Sequence, residues 1–431
     1  MNIFLILLGK SLSALSKKIN LGNGSTWPGH IALSLNSNFI KETLDDSKTK
    51  TVVIIGTNGK TTTAKMISTI LEKNGKKVFQ NSSGANLLNG VASSIIQNSN
   101  NYGKLDFDYA IFEVDEGNFP LLAKKMNPDF VIALNLFRDQ LDRYGEVNTI
   151  AKNWKKTFPE LDKTVFILNA DDPQIYYLAE NTKNKTYYFG LKEKKGKTLE
   201  DSSDSIFCPE CGSGLSYNSV NYSHLGDWHC PKCGLRPAKK DITSVEFYPL
   251  SGDYNKYNTH AAYLFSEIAG VKRKEIIEAL KLFKPAFGRA EIIEINNRKI
   301  KILLSKNPTS FNESLRTIYT ENAKELLIVL NDRIPDGTDI SWIWDVNFEE
   351  LLKKETRLFI SGDRAYDLAL RIAYSGSSKD LDSEGFIIFE DLKTAIGKAL
   401  SEIEKNETLY ILPTYSAMLE TRKILTGKKI L

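Results

Sequence analysis

The sequence lacks a large excess of either positive or negative charge. Its 431 residues carry 57 Lys and Arg against 53 Asp and Glu, a formal net charge of +4. The basic residues are scattered among the acidic ones, so no basic face or stripe for a nucleic acid is indicated. Hydrophobic residues make up 42% and charged residues 26% of the chain, as in globular proteins. The sequence predicts a globular protein of two or three domains without a nucleic-acid partner.

Long hydrophobic runs are also absent. The most apolar stretch, residues 1–16, is interrupted by Lys10 and followed by Lys17–Lys18. It is too short to span a bilayer, and a secretory signal has its positive charge before the apolar run. We expect an amphipathic helix that packs against the protein and a cytoplasmic location, with peripheral contact at the inner membrane face as the alternative. The leucines on one side of this helix are Leu5, Leu8, Leu12 and Leu15.

Cysteine is scarce, and the four residues form two C-x-x-C knuckles separated by 18 residues. In a reducing compartment such clustering indicates a metal rather than disulfides. Four thiolates complete a tetrahedral zinc site and leave no position for water, so the zinc is expected to be structural. A redox dithiol is the alternative. The expected ligands are Cys208, Cys211, Cys230 and Cys233. Two nearby histidines are expected at the surface, not as ligands: His224 and His229.

Short β-branched runs alternate with helical patterns, which predicts a doubly wound α/β fold. The expected strands of the first block are 51–56, 108–114, 129–135 and 164–169, and a helix is expected from about Thr62 to Asn74. The strands expected in a second α/β block, which begins near residue 290, are 299–304, 325–330, 356–361, 386–389 and 408–412.

This pattern predicts three parts of the chain. Residues 1–45 form an N-terminal helical segment, and residues 46–288 form a central domain. Residues 205–240, rich in Cys, Gly, Pro and Tyr, interrupt the central domain as an inserted module. Residues 289–431 form a smaller, Rossmann-like α/β domain.

A Gly-rich turn follows the first strand and opens a helix. Backbone N–H groups in such a turn, together with the helix N-terminus, hold phosphate oxygens. Lys60 can reach the β- and γ-phosphates, and Thr61 can offer its hydroxyl to Mg²⁺. An ordinary βα turn is the alternative. The residues predicted to bind the nucleotide here are Gly56, Thr57, Asn58, Gly59, Lys60, Thr61 and Thr62.

The stretch GTNGKTTT has only two residues between its glycines, where the general pattern G-x-x-x-x-G-K-[ST] has four. In this form it resembles the Mur ligase family, which includes folate polyglutamate synthases. The resemblance implies that ATP phosphorylates a carboxylate and that an amine then attacks the acyl phosphate.

Further motifs extend the resemblance along the chain. Glu113 stands where the family has a second magnesium-site carboxylate, a suitable ligand for a hard cation. Residues 135–143 resemble the segment N-x-x-x-D-H-x-D-R, with Gln140 in place of His. Lys155 lies 15 residues beyond Gln140, where many family members have a carbamoylated lysine. A solvated, unmodified lysine is the alternative.

Three more segments imply contacts with the nucleotide. Residues 169–172 (NADD) and 252–258 (GDYNKYN) resemble family segments that contact ATP, and Gly288-Arg289 resembles the arginine that meets its phosphates. The implied contacts are Asn169, Asp172, Asn255, Asn258 and Arg289.

The cysteine module and the C-terminal stretches 305–312, 331–349 and 412–422 resemble one branch of the family, the MurT subunits of lipid II isoglutaminyl synthase. That resemblance implies ATP-dependent amidation of the D-glutamate α-carboxylate in the lipid II stem peptide. A class I glutamine amidotransferase of the GatD type would supply the ammonia. An amino-acid-adding Mur ligase or a folylpolyglutamate synthase is the alternative.

A glutaminase of that type needs a nucleophilic cysteine. Since all four cysteines are expected to bind zinc, the nucleophile must belong to another protein. In this branch the synthetase is thought to lend an aspartate to the partner's Cys–His pair, to orient the histidine. Asp345 is favoured because two aromatic residues precede it, and Asp339 is the other candidate. A helix cap at Asp339 and a surface carboxylate at Asp345 are the alternatives.

Overall fold

A computed structural model describes most of the chain. The described residues are 2–18, 26–81, 85–138, 147–192, 204–237, 239–285, 289–295, 297–351, 356–376, 385–404 and 407–427. They fall into two compact units, one within residues 1–137 and 146–284 and the other within residues 138–145 and 285–430. The larger segment of the second unit begins at residue 285, and the second unit also includes residues 138–145.

The first unit is built on a parallel six-stranded sheet with the order β2-β3-β1-β4-β5-β6. Its central strand pairs in parallel on both sides, with Val52 beside Ile111 and beside Phe130. Such strands are buried on both faces, which explains the continuous apolar run at residues 52–55. The strands are β1 (Lys50–Ile55), β2 (Val78–Gln80), β3 (Tyr109–Glu113), β4 (Phe130–Ala133), β5 (Val165–Asn169) and β6 (Thr186–Phe189).

Helices cover this sheet. The helix that follows β1 buries Met66, Ile67, Ile70 and Leu71 at helical spacing against the core. Its N-terminus therefore stands at the carboxyl edge of the sheet, where α/β proteins bind ligands. The helices of this unit are α1 (Asn2–Lys18), α2 (Trp27–Leu35), α3 (Phe39–Asp45), α4 (Lys60–Lys73), α5 (Leu88–Asn98), α6 (Phe119–Met126), α7 (Val147–Thr157), α8 (Pro173–Tyr177), α9 (Asp253–Ile268) and α10 (Arg273–Lys281), with a 3₁₀ turn at Phe158–Glu160.

The N-terminal helix packs against the protein, as expected. Gly9 of α1 lies so close to Ile96 of α5 and Pro28 of α2 that an added Cβ would meet the Ile96 side chain at 2.9 Å. The buried apolar side chains of α1 are Leu5 and Ile6, whereas Phe4 is 65% exposed. None of the helices in the described part of the chain combines the length and the apolar character that crossing a membrane requires.

The cysteine module contains a two-stranded antiparallel hairpin, β7 (Ser216–Tyr222) and β8 (Leu225–His229). Its Trp228 is fully buried and donates its Nε1–H to the carbonyl of Ala170, 3.1 Å away. The hairpin therefore docks onto the turn that follows β5. This contact, and not the cysteines alone, fixes the module to the first unit.

The second unit is a six-stranded sheet with the order β13-β12-β11-β14-β10-β9. All its neighbours are parallel except the antiparallel edge pair β9–β10. The strands are β9 (Arg289–Ile295), β10 (Arg298–Leu303), β11 (Glu325–Val329), β12 (Arg357–Ser361), β13 (Phe386–Ile388) and β14 (Thr408–Pro413). The helices are α11 (Pro308–Thr320), α12 (Phe348–Leu351), α13 (Ala365–Tyr374), α14 (Leu392–Glu402) and α15 (Tyr415–Thr426), with a 3₁₀ helix at Ser341–Asp345.

Candidate active site

The Gly-rich turn between β1 and α4 is shaped by two glycines. Gly56 has φ +133° and Gly59 has φ +93°, conformations that L side chains rarely adopt. Asn135, at the end of β4, braces the turn because its amide accepts from Asn58 N at 2.9 Å and donates to Asn58 O at 3.0 Å. The Thr57 hydroxyl donates to Phe137 O at 3.1 Å. The backbone is thus held open at the N-terminus of α4, as a phosphate cradle requires.

Lys60 and Thr61 are each paired with a carboxylate. Lys60 Nζ lies 2.8 Å from Glu116 Oε1, and both side chains are nearly buried. The Thr61 hydroxyl donates to Glu113 Oε2 at 2.6 Å. Asn81 accepts from the backbone N–H of Glu113 and fixes the end of β3. The structure therefore brings the predicted residues Lys60, Thr61 and Glu113 to one place and adds Glu116, which the sequence analysis did not single out.

Thr61 and Glu113 offer the oxygen ligands that Mg²⁺ prefers, so the residues present fit a magnesium ion. The negative charge of the neighbouring carboxylates also favours a bound cation. Glu113 and its neighbours Asp115 and Glu116 are each under 10% exposed, and Glu116 is paired with Lys60. Buried like charges are costly unless cations compensate them.

Helix α9 supplies the next predicted contacts. A Cβ added to Gly59 would meet Asn258 Oδ1 at 2.0 Å, so the loop and the helix are in direct contact. Asn258 also lies 3.3 Å from Asn255 Oδ1 and 3.4 Å from the Thr63 hydroxyl. Asn255 donates to Ser251 O at 2.7 Å. Both predicted asparagines therefore stand next to the phosphate loop.

Asn169, the last residue of β5, and Asp172, in the turn after it, are fully buried. The Asn169 amide donates to Leu134 O at 2.8 Å. Asp172 caps α8 through Gln174 N at 2.9 Å, and its other oxygen accepts from Leu136 N at 2.8 Å. These bonds fix the strand ends on which the loop rests. A direct contact of either residue with the nucleotide stays a prediction.

Three predicted residues lie elsewhere or outside the described residues. Lys155 donates to the carbonyl of Tyr177 and lies 3.9 Å above that residue's ring, and burial lowers the pKa of its amine. Its hydrogen bond and its ring contact are both with Tyr177 and not with the residues around Lys60. Gln140 lies outside the described residues. Arg289 begins β9, but its side chain also lies outside the described part.

The four cysteine sulfurs converge on one point. All four Sγ atoms lie within 4.8 Å of one another, and the pairs Cys208–Cys233 and Cys211–Cys230 are 3.6 and 3.5 Å apart. A tetrahedral Zn–S bond of about 2.3 Å implies sulfurs about 3.8 Å apart, so the geometry fits zinc. Backbone turns close each knuckle, with Gly212 N donating to Cys208 O at 2.9 Å.

The expectation that His224 lies at the surface is wrong. His224 is fully buried, packs on Phe137 with ring centroids 4.8 Å apart, and has Nε2 3.4 Å from Asp172 Oδ2. The reason is that the tip of the hairpin inserts into the first unit. Neither His224 nor His229 belongs to the metal cluster found among the described residues, as expected.

In the second unit a pocket contains both candidate aspartates. Lys306, Asp339 and Asp345 are among its lining residues. Asp339 accepts from Ser341 N at 2.8 Å and so caps the 3₁₀ helix, the alternative considered for it. Asp345 ends that helix, is 41% exposed and pairs with Arg138 at 3.1 Å.

Apolar side chains border Asp345 on the same surface. Trp344 is 51% exposed and packs against Tyr374, which is 73% exposed. Arg371 lies over the Trp344 ring at 5.5 Å. Exposed aromatics of this kind beside an arginine are typical of protein interfaces.

Two family models match the chain. One, described as the Mur ligase middle domain, matches residues 54–265. The other, described as the MurT ligase C-terminal domain, matches residues 304–418. The first match includes the phosphate loop and the cysteine module, and the second includes the pocket with Asp339 and Asp345.

Among curated relatives, the lipid II isoglutaminyl synthase (glutamine-hydrolyzing) subunit MurT of Staphylococcus aureus is 30% identical over 416 residues, 89% of this chain and 93% of the relative. The subunit of the same name from Streptococcus pneumoniae is 29% identical, over 95% of this chain and 94% of its own.

Solved structures share the fold. A pseudomurein peptide ligase type C from Methanothermus fervidus superposes with a TM-score of 0.66 at 24% identity, covering 89% of this chain and 79% of that one. FolC of E. coli, in complex with DHPP and ADP, gives a TM-score of 0.59 at 14% identity, covering 88% and 90%.

Proposed function

This chain belongs to the Mur ligase family and, within it, to the MurT subunits, so it is an ATP-dependent ligase, and we propose that it amidates the D-glutamate α-carboxylate of the lipid II stem peptide to D-isoglutamine. The observation that carries the proposal is the match to MurT subunits along almost the whole chain, together with a phosphate loop whose lysine, threonine and carboxylates are assembled. The reaction belongs to peptidoglycan synthesis.

The first step proposed is phosphoryl transfer. A carboxylate oxygen of the acceptor attacks the γ-phosphorus of ATP, the bond to the β-phosphate oxygen breaks, and ADP leaves. The loop backbone at Gly56–Gly59 and the Lys60 ammonium hold the phosphates in line and offset their charge, so catalysis rests on positioning and electrostatics. Thr61 and Glu113 would hold Mg²⁺, which when bound neutralises phosphate charge.

The second step is amide formation. Ammonia attacks the acyl carbon, a proton is lost, and the carbon–oxygen bond to the phosphate breaks, so that inorganic phosphate leaves. The product carries an amide where the acceptor had a carboxylate. Water must be kept from the acyl phosphate, because hydrolysis would waste ATP without forming the amide.

The ammonia is proposed to come from a GatD-like class I glutamine amidotransferase. The relatives from Staphylococcus aureus and Streptococcus pneumoniae are named as MurT subunits of a glutamine-hydrolyzing synthase. This chain contains only four cysteines, and all of them lie in the metal cluster. None is therefore left as the glutaminase nucleophile, which supports a second subunit. We propose that Asp345 completes that subunit's Cys–His pair, from a surface bordered by Trp344 and Tyr374.

The decisive experiment is co-expression with the candidate amidotransferase, followed by reaction with lipid II, Mg-ATP and glutamine. Amidation changes the acceptor mass by about one unit, which mass spectrometry resolves, whereas an amino-acid-adding ligase or a folylpolyglutamate synthase would add a whole residue. ATP consumption that depends on lipid II and on a nitrogen source is expected. A purified pair that never consumes ATP under these conditions would overturn the proposal.

A further inference from the structure

The exposed face of helix α1 is apolar and carries no charge. Ile3, Phe4 and Leu7 are 52%, 65% and 44% exposed, and the other exposed residues of α1 whose side chains are described are Ser11 and Ala14. These five positions lie within about 100° of the helix circumference. The solvent face of a helix on a globular protein ordinarily carries charged and polar residues. An apolar face in that position indicates a surface that another body covers.

The opposite face of α1 is the one that packs against the protein. Leu5, Ile6 and Gly9 are buried there, and Gly9 lies against Ile96 of α5. The apolar residues of the exposed face are therefore not part of the core of the first unit.

Helix α2 extends the exposed surface. Its Gly29 faces α5, because an added Cβ would meet Asn89 O at 2.0 Å and Ser93 N at 2.6 Å. Since α1 and α2 each turn a glycine toward α5, their opposite faces point outward together. On that side of α2 Trp27 is 65% exposed, with its ring centroid 6.4 Å from that of His30.

A further aromatic residue borders α1. Tyr102 is 80% exposed, and an added Cβ on the next residue, Gly103, would meet Ile3 Cγ1 at 2.8 Å. Trp and Tyr are the side chains that concentrate where hydrocarbon meets lipid headgroups. We call the surface formed by Ile3, Phe4, Leu7, Trp27 and Tyr102 the outer face.

The charges of this part of the chain have one sign. Residues 1–41 contain four lysines, at positions 10, 17, 18 and 41, and the first acidic residue is Glu42. Lys17 and Lys18 end α1, and Lys41 is exposed on α3. The chain as a whole is nearly balanced in charge, so this segment stands apart from the rest. Apolar side chains flanked by lysines alone fit a partner that is apolar inside and anionic at its surface.

We propose that the outer face docks on an anionic lipid bilayer, with Phe4, Leu7 and Trp27 entering the headgroup boundary and the lysines near the lipid phosphates. The helix would lie on the bilayer, since no described helix is suited to crossing it. The role of this docking rests on the proposed function, whose acceptor carries a lipid. The amidotransferase is proposed to bind the second unit at Asp345, so it does not account for the outer face.

Cosedimentation of the full chain with vesicles that contain no lipid II tests docking apart from catalysis. Phosphatidylcholine vesicles are compared with vesicles that also contain phosphatidylglycerol. We expect the wild-type chain to bind the anionic vesicles about tenfold more tightly or better, because each lysine near the surface adds attraction. Equal binding to the two compositions, or binding to neither, would overturn the proposal.

The variant that tests the outer face is the double substitution Phe4→Glu and Trp27→Glu. Both side chains are mostly exposed, so the fold should be retained, which circular dichroism checks. Binding to the anionic vesicles is expected to weaken about tenfold or more, because two apolar contacts are replaced by charges of the lipid's sign. Leu282→Glu is the matched control, since Leu282 is 58% exposed and directly follows α10, which packs against α4. Equal losses in the double variant and in Leu282→Glu would refute the assignment to this face.

Sedimentation velocity without vesicles tests a second copy of the chain as the occupant. We expect the wild-type chain and the double variant to sediment with the same oligomeric state. A wild-type dimer that the double substitution dissociates would assign the outer face to a second copy and overturn docking on lipid.

Two acceptors separate this inference from the proposed function. Lipid II in phosphatidylglycerol vesicles requires docking, whereas the same headgroup on a short, water-soluble prenyl chain does not. With the amidotransferase present and vesicles limiting, the double variant is expected to amidate vesicle-bound lipid II about tenfold more slowly and the soluble acceptor at the wild-type rate. Equal loss on both acceptors would contradict the docking role. A wild-type pair that binds vesicles but amidates neither acceptor would count against the proposed function instead, and would leave the docking surface supported.

Discussion

Each unit contains a six-stranded, mostly parallel sheet. The two sheets differ in the residues that follow their strands at the carboxyl edge. In the first unit the central strand β1 ends in a glycine turn whose backbone stays open at the start of α4. In the second unit Asn331 lies two residues beyond the end of β11; its N–H donates to the Thr414 hydroxyl at 3.0 Å and its amide donates to Ser416. Asp336 accepts from Ser416 N at 2.7 Å. These bonds join the segments that follow β11 and β14.

The turn that follows a strand, and not the sheet itself, determines which ligand the carboxyl edge can bind. Backbone N–H groups in an open glycine turn suit phosphate. In the second unit the segments after β11 and β14 are held by side chains that bond to one another, and the exposed carboxylate of Asp345 suits a protein partner. We therefore propose that ATP binds in the first unit and that the partner binds at the second.

The largest effect is expected from a substitution in the second unit. Asp345→Asn is expected to reduce glutamine-dependent amidation about 10⁴-fold, as loss of the orienting carboxylate does in a catalytic triad. Amidation with free ammonia should stay near wild type, since the synthetase site is untouched. Parallel assays with glutamine and with ammonium chloride measure both rates.

Asp339→Asn is the matched control, because Asp339 lines the same pocket. Little change is expected there beyond the loss of its cap on Ser341. Should Asp339→Asn abolish the glutamine-dependent rate while Asp345→Asn does not, the two roles would be reversed.

The next effect is confined to the first unit. Lys60→Ala is expected to lower ATP turnover by about 10² to 10³, whichever nitrogen source is used, because the charge that offsets the developing phosphate charge is gone. Phosphate release measures turnover, and circular dichroism with a zinc assay checks that fold and metal are retained. Undiminished turnover in a folded variant would remove the phosphate-loop assignment.

Metal content gives a third, stoichiometric test. About one zinc per chain is expected from four thiolates, and Cys211→Ser or Cys230→Ser should abolish most of it. Atomic absorption on purified chain measures the ratio. His229→Gln is the control, because His229 stands directly before Cys230 and lies outside the cluster. Metal retained in both serine variants would contradict the tetrahedral site.

The smallest effect concerns stability in acid. Burial lowers the pKa of His260 to about 4, and its ring bonds to Gly190 O and to the Tyr248 hydroxyl, each at 2.8 Å. The pKa of His260 is lower in the folded chain than its unfolded value of about 6.5. The contribution of the neutral His260 to the free energy of unfolding is therefore fully present above pH 6.5 and is lost as the pH falls toward 4. A loss of about 2 kcal/mol is expected at pH 5.

Urea unfolding at pH 7 and pH 5 measures this difference in the free energy of unfolding. In His260→Gln the difference should be smaller, because the side chain at this position no longer titrates. A wild-type free energy of unfolding that does not change between these pH values would contradict the buried, neutral histidine. Because His260 lies in α9 beside Asn258, the test also reports on the helix that contacts the phosphate loop.

The sequence predicted the central strands of both sheets because they are continuous apolar runs, and it predicted the phosphate loop because Gly-Lys-Thr follows one of them. It did not predict β2, β6 or β9. These strands are short or lie at sheet edges, where an apolar run is not required.

Long-range pairing explains what was missed at the site. Glu116 meets Lys60 across 56 residues of sequence, which no local pattern encodes. The cysteine spacing predicts a four-sulfur metal site, and the four Sγ atoms do converge. The same spacing carries no information about where the tip of the hairpin packs. The spacing therefore does not reveal that His224 is buried.

The pairing of Lys60 with Glu116 has a consequence for anion selectivity. A ligand that takes hold of the lysine must compete with a carboxylate already 2.8 Å from it and nearly excluded from water. We expect chloride or a single phosphate to compete poorly with this carboxylate, and a triphosphate to compete well because it can engage the backbone N–H groups and the ammonium together. The ion pair would then select against small anions.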